Sequence, residues 1–259
     1  PAAWDHRSEV VSGSSEDSAM ATPRSVSVTA RVTRRWRAKR SRKTGSQMRT
    51  LAPVFMRLGA EGLGNSIYFI YQFFCHQLPE RSFFLFGPQP MYSLAQIGAA
   101  WPVADPNVLR QFVGSADFGW KVAYSDRMVS MYTGLWLASI GFAAFRRRIR
   151  PLPIWGYALL LLPMLIDGGT HFLSDLLAAP DWGAGFRDTN AWLAQLTGGA
   201  LPPEFYAGSA LGSFNSIMRL LTGALFGAAT VWFAWPYVDG AFGEIKEDLA
   251  AKIAGLRKA

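Results

Sequence analysis

Arg146-Arg147-Arg148-Ile149-Arg150 separates two apolar segments, Met128 to Phe145 before it and Leu152 to about Phe172 after it, and its reading decides the fold. Each segment is close to the ~20 apolar residues that a helix needs to cross a bilayer core. Arginines crowded into the turn between two such segments mark the cytoplasmic side by the positive-inside rule. Composition agrees. Half of the 259 residues are hydrophobic, with ten Trp, eighteen Phe and only 17% charged, the balance of a membrane protein rather than of a soluble domain.

Toward the N-terminus, Leu58 to Leu78 reads as another span, with Glu61 and Asn65 near its start and Pro79 ending it. Toward the C-terminus, Phe214 to Trp235 reads as the last. Gly134, Ala138 and Gly141 form one helical stripe that permits close helix packing, and Pro163 is expected to kink the span that holds it. Residues 86–122 and 174–212 are rich in turn formers and read as extramembrane loops, each with one short helix. Asp105-Pro106-Asn107 starts the first of these helices, and Asp188-Thr189-Asn190 caps the second. After Asp239-Gly240, Phe242, Ile245, Leu249, Ile253 and Leu256 recur at helical spacing, opposite Lys246, Lys252, Arg257 and Lys258. Such an amphipathic helix suits the membrane interface or a partner.

The N-terminal stretch has almost no apolar periodicity. From Val26 onward Arg31, Arg34, Arg35, Arg37, Lys39, Arg40, Arg42, Lys43 and Arg49 follow without one acid, and they account for much of the net charge of +8. This is a basic arm, disordered by composition, and not a basic fold, so a nucleic-acid partner is not indicated. It reads in three ways: a cytoplasmic arm, an extension that binds other membrane-protein subunits, or an Arg- and Ser-rich targeting segment. The single cysteine excludes an intramolecular disulfide. The chain thus reads as an all-α, polytopic membrane protein of a cell membrane, with both termini cytoplasmic. Its parts are a basic arm over 1–50, a four-span membrane domain over 51–238 and an amphipathic C-terminal helix over 239–259.

Four spans with both termini inside bring their far ends to one depth. Those ends carry Cys75, His76 and Arg81, then Asp126 and Arg127, then Asp167 and His171, then Asn215 and Arg219. Ionisable groups beside lipid are costly and face a partner or a wet cavity. One reading is structural: Asp126 or Asp167 pairs with Arg81, Arg127 or Arg219 and ties the bundle together. The other is a site. Asp167 and His171, four apart, point the same way on a helix and with His76 and Cys75 make a metal-ligand set. Asn215 and Arg219, also four apart, can clamp an anionic or quinone-like head group. His76 and His171 are the pair at hand for a haem near one surface. No pattern fixes a cofactor: there is no Walker loop, no strand-to-helix Gly-x-Gly-x-x-Gly, no Gly-x-Ser-x-Gly elbow and no Cys-x-x-Cys.

Four motifs together resemble a family. They are Cys75-His76-Gln77-Leu78-Pro79-Glu80-Arg81-Ser82-Phe83, the Lys-x-Ala-Tyr-x-x-Arg stretch from Lys121 to Arg127, Asp167-Gly168-x-Thr170-His171, and Arg219-x-x-Thr222-Gly223. Over about Phe74 to Gly227 the chain resembles the domain of unknown function 2085 family of small prokaryotic integral membrane proteins. The resemblance implies membrane residence and a common fold, and the family brings no established activity. It commonly shows a cysteine where this chain has Ser125. If that cysteine pairs with the first one in relatives, as ligand or disulfide, this chain has lost the partner, which weakens a redox or metal role.

Two functions stand open on these residues. The first is an accessory subunit of a larger membrane complex, of an electron-transfer kind among others. The second is a membrane enzyme or ligand-binding protein whose exoplasmic site takes a metal, a quinone or an anionic lipid head group. In the second, His76 and Asp167 serve as acid and base, His171 as orienter or ligand, and Arg81, Arg127 and Arg219 hold an anionic group.

Overall fold

In the computed structural model, which describes residues 48–103, 105–179, 181 and 183–256, Gly59 at φ +77° reverses the chain between two short helices, α1 (Met48–Arg57) and α2 (Glu61–Tyr71). The arm expected over residues 1–50 lies, up to residue 47, outside the described residues, as do Arg257 and Lys258. The two helices close on each other at Gly64, where a Cβ would run into the Met56 side chain. The span expected over Leu58–Leu78 is therefore not formed as one helix. α2 has 11 residues, or roughly 16 Å, about half a bilayer core. Gly59 and Glu61 break its N-terminal side. On the other side Gln77, at φ 55°, and Pro79 turn the chain into a 3-10 turn, Pro79–Arg81. The hairpin buries Ala52, Met56, Ile67 and Tyr68 against Ala123, while Leu63, Phe69, Ile70, Phe73 and Phe74 are left exposed.

The all-α expectation also needs correction. Ser82–Leu85 (β1), Gly114–Ser115 (β2) and Gly119–Ser125 (β3) form an antiparallel sheet of order β1-β3-β2. Aromatic and β-branched residues in β1 and β3 suit a pleated, buried surface. Phe84 packs with Tyr92, Ile97, Leu109 and Phe112 in a core beneath α3 (Leu94–Ala100) and α4 (Pro106–Leu109). The segment expected to be a loop with one helix is a small folded cap.

Among the described residues three helices are long and apolar enough to cross a membrane: α5 (Asp126–Phe145), α6 (Ile154–Ala178) and α10 (Phe214–Leu256). Between α6 and α10 run the short α7 (Phe186–Thr189), α8 (Ala191–Leu196) and α9 (Pro203–Tyr206). α5 and α10 pack closely. A Cβ on Gly134 would strike the Ala224 backbone, and Cβ atoms on Gly223 and Gly227 would strike the backbone of α5 at Arg127 and Met131. The Ser130 hydroxyl donates to the Leu220 carbonyl across the same seam.

Residues 239–256 continue α10 without a break, so the C-terminal segment is not a separate helix. A helical Gly240 costs only about 1 kcal/mol relative to Ala, and Asp239 beside it is held by Arg146 at 2.8 Å. Among the described residues three helices, not four, are long and apolar enough to cross a bilayer.

Candidate functional site

The polar layer is assembled by the sheet. Ser125 ends β3 and is the N-cap of α5, so Asp126 and Arg127 follow directly from the strand. Ser82 pairs with Ser125 across the ladder, which brings the 3-10 turn carrying Glu80 and Arg81 beside the start of α5. α6 arrives with Asp167, His171 and Asp175 at intervals of four, on one helical face, and α10 starts with Asn215, Ser216 and Arg219.

Asp126 is fully buried. Arg219 Nε donates to its two oxygens at 2.8 and 3.0 Å and Ser216 Oγ to Oδ2 at 3.2 Å, while Arg219 Nη2 reaches the Ser209 carbonyl at 2.7 Å. Asp167 is buried between two guanidiniums: Arg127 Nη2 lies 2.7 Å from Oδ2 and Arg187 Nη2 lies 2.6 Å from Oδ1. A Cβ on Gly168 would stand 2.9 Å from Arg127 Nη1, so the glycine leaves room for that guanidinium. Thr222 lies at the level of Asp167, its hydroxyl 3.5 Å away. The stretch of α10 from Thr222 to Asp239 is roughly 25 Å long at 1.5 Å per residue. The polar layer and the Arg146–Asp239 pair are thus about one hydrocarbon thickness apart.

Between the turn and the helix ends lies a cavity of about 270 Å³ lined by Arg81, Arg127, Arg219, His76, His171 and Asp175, among others. Arg187 Nη2 is 3.2 Å from His171 Nε2. A guanidinium has only protons to give, so Nε2 accepts and the ring proton sits on Nδ1. His171 Nδ1, Arg81 Nε and Arg127 Nε are buried and meet no hydrogen-bond partner among the described residues. Buried donors of this kind cost free energy until an acceptor arrives. Arg81 reaches Asp175 at 3.5 Å, and its Nε is 3.8 Å from Glu80 Oε1, beyond hydrogen-bond reach. Burial raises the Glu80 carboxyl above the usual carboxylate range, against the pull of Arg81. For Arg81 the cost of burial is outweighed by Glu80, Asp175 and Asp188, and its pKa is raised.

A second chamber of about 600 Å³ adjoins the first and shares His76, Leu78, Arg81, Phe172 and Asp175 with it. It adds Leu94, Val103, Leu109 and Leu176, with Glu80, Arg110 and Asp188. Beside it stands Lys121, fully buried on β3, its ammonium donating to the carbonyls of Gln77, at 2.9 Å, and Arg110. Burial pulls its pKa down to about 7, with Glu80 opposing.

Most residues singled out in the sequence thus meet here, and two of the ion pairs considered among them form, Asp126 with Arg219 and Asp167 with Arg127. Arg81, Arg127, Arg219, His171 and His76 line the cavity, with His76 exposed at it. Asp126 and Asp167 stand behind the arginines. Asn215 is buried and stitches the loop, donating to the carbonyls of Arg187 and Gly208. Cys75 is half-buried, a free thiol outside the cavity lining. The metal set of His76, Asp167 and His171 does not converge: Asp167 is held by two guanidiniums and His171 Nε2 by Arg187. Among the described residues no three His, Cys, Asp or Glu side chains come together as ligands. Arg187, Asp175 and Lys121 were missed as members of the layer. Asp175 carried a signal, its four-residue spacing from His171.

Residues 117–233 match the family described as predicted membrane protein (DUF2085). The resemblance read from the motifs holds over that stretch, which includes Lys121, Asp126, Arg127, Asp167, His171, Asp175, Arg187 and Arg219 and leaves out the Cys75–Ser82 motif. An uncharacterized protein of Methanocaldococcus jannaschii is 26% identical over 131 residues, 48% of this chain and 63% of the relative. The chain therefore spans less than two thirds of that relative's length. No solved structure matches. The match and the three long apolar helices make the chain an integral membrane protein.

Proposed function

We propose that this membrane protein binds the anionic head of an amphiphilic ligand in the arginine-lined cavity, at the outer face of a cell membrane. The observation that carries the reading is the surplus of buried donors. Arg81, Arg127 and His171 line the cavity and each has a buried N–H without a hydrogen-bond partner among the described residues, while the carboxylates behind them, Asp126 and Asp167, are already occupied. A phosphate or carboxylate supplies what is missing, and guanidiniums held from behind by carboxylates are fixed in the geometry that such groups favour. The adjoining apolar chamber supports a ligand with a hydrocarbon part. Phe172 and Leu176, exposed on α6, support entry from the bilayer.

The placement at the outer face rests on Arg146–Arg150 being cytoplasmic. In a Cys75→Ser background, a cysteine at Ser115 labels from outside and one at Ala251 only from inside; the reverse pattern puts the cavity on the cytoplasmic face.

The test of the ligand class is thermal unfolding in detergent with dodecyl phosphate, inorganic phosphate or dodecyl trimethylammonium at matched ionic strength. Dodecyl phosphate raises Tm saturably, inorganic phosphate does so more weakly, and the ammonium amphiphile does not. Arg81→Gln and Arg127→Gln each lose the response. A response that persists unchanged in both variants, or one shared by the ammonium compound, overturns the reading.

A separate observation favours a role as a subunit. Beyond Asp239, α10 projects for roughly 25 Å with Phe242, Ile245, Leu249, Ile253 and Leu256 exposed, an apolar stripe that suits a partner helix. Purification in mild detergent decides this second reading: a particle that contains this chain alone, as a monomer, removes it.

A further inference from the structure

At the Arg146–Arg150 end, α5 and α10 part around a groove of about 560 Å³. The helices touch at Gly134, which lies against Ala224. Two turns further on, a Cβ at Gly141 would meet nothing within 4 Å. Ala138 and Ala228 widen the groove, Phe142 and Trp232 wall it, and Arg148 and Arg150 stand at its mouth. The Trp232 indole N–H donates to the Arg150 carbonyl at 3.1 Å, which holds the basic turn over the groove. Arg146 is engaged by Asp239, whereas neither Arg148 nor Arg150 has a carboxylate partner among the described residues.

An apolar groove on the lipid face of two membrane-spanning helices is within reach of the bilayer's hydrocarbon chains. The charges at its mouth decide which head group comes with the chain. We propose that the groove is a binding site for an anionic phospholipid: one acyl chain lies between α5 and α10, and the phosphate is held by Arg148 and Arg150. A zwitterionic lipid brings the same phosphate with a cation attached, which the two guanidiniums repel. The site is distinct from the arginine-lined cavity and does not depend on the function proposed for it.

The experiment is native mass spectrometry of the full chain released from mixed micelles with equal amounts of phosphatidylglycerol and phosphatidylcholine. The parent retains one phosphatidylglycerol in preference to phosphatidylcholine by roughly tenfold, the scale set by one or two basic residues at a membrane surface. Arg148→Gln with Arg150→Gln, outside the helices and exposed, brings the ratio to about one while lipid is still retained. Gly141→Leu, which fills the open floor, lowers retention of both lipids with the arginines intact. Equal retention of the two lipids by the parent, or undiminished retention by Gly141→Leu, overturns the proposal. So does competition by glycerol phosphate as strong as that by the lipid, since the arginines would then be taking a free phosphate.

Discussion

The two ends of one three-helix bundle carry arginine in opposite circumstances. At the capped end Arg219 and Arg187 are buried, and each is matched to a carboxylate: Asp126 for the one, Asp167 for the other. At the other end Arg146, Arg147, Arg148 and Arg150 are exposed, and among the described residues only Arg146 has an acid beside it. The same side chain therefore does two kinds of work. Inside, its charge is tolerated because a partner from another element replaces water. Outside, water and head groups solvate it, and its value is topological. Removing a partner should accordingly be costly at one end and nearly free at the other.

The largest effect falls on the inner carboxylates. Asp126→Ala leaves Arg219 buried and unpaired, and Asp167→Ala strands Arg127 and Arg187 together; each is expected to destabilise the bundle by about 3–5 kcal/mol, with Asn at either position recovering part of the loss. Unfolding in detergent monitored by far-UV circular dichroism checks this. If Asp167→Ala melts like the parent, the carboxylate serves ligand binding and not the bundle. Next comes the seam that holds the two ends in register. Gly227→Leu forces a side chain into the backbone of α5 at Met131, which no rotamer of a neighbour relieves, at a cost of about 1–3 kcal/mol. Gly141→Leu, at the open groove of the same helix pair, is expected to cost little, and the difference between the two melts is the readout.

What the sequence could and could not reveal divides along the same line. Three spans were legible, their starts to within two residues, because a bilayer sets a length that apolar runs such as Tyr157–Ile166 declare; their ends were less so, since α6 runs on to Ala178 and α10 to Leu256. Leu58–Leu78 declared the same length falsely. Its apolar residues, Phe69 to Phe74, cluster in one half, and Gly59, with the left-handed backbone only glycine takes readily, cuts the other half off. The sheet was illegible because β1 and β3 are short and because Lys121 sits where alternation would place an apolar residue. A buried lysine is visible only once the carbonyls of Gln77 and Arg110 are seen around it. At the site, topology alone predicted that Asp126, Arg127, Asp167 and Arg219 share a depth. Arg187 escaped because it lies in a helix of four residues whose position depends on Asn190 and Asn215 bonding to the carbonyl of Arg187, contacts with no local periodicity.

Lys121 makes the capped end sensitive to pH. Its unfolded pKa is about 10.4 and its folded value is drawn down to about 7 by burial, opposed by Glu80. Between those values the unfolded chain binds the extra proton. Stability from this group is therefore complete above pH ~10.4 and is lost as pH falls toward 7, with a slope of at most about 1.4 kcal/mol per pH unit. Below pH 7 both states are protonated and the slope from Lys121 vanishes. Lys121→Met is expected to flatten the stability curve between pH 7 and 10. A parent curve that is already flat there, or a variant curve as steep as the parent's, sinks the assignment.

The smallest effect belongs to the outer pair, and it is the one that makes the comparison quantitative. Arg146 and Asp239 lie 2.8 Å apart, as close as Arg219 and Asp126, yet their side chains are 53% and 46% exposed against 3% and 0%. With the shortest distance equal, burial separates them, together with the second carboxylate contact of Arg219 and the bonds from Ser216 and to Ser209. In water-like surroundings the Coulomb attraction is screened and offset by the entropy of holding two long side chains, so a pair of this kind contributes about 0–1 kcal/mol. A double-mutant cycle on Arg146→Gln and Asp239→Asn should return a coupling in that range that shrinks as salt is raised. The same cycle on Arg219→Gln and Asp126→Asn should return several times more and respond little to salt, because ions do not enter a fully buried contact. Should the outer coupling equal the inner one and ignore salt, the Arg146 level lies in a dry interface, and the apolar stripe of α10 beyond Asp239 is covered by a second protein surface.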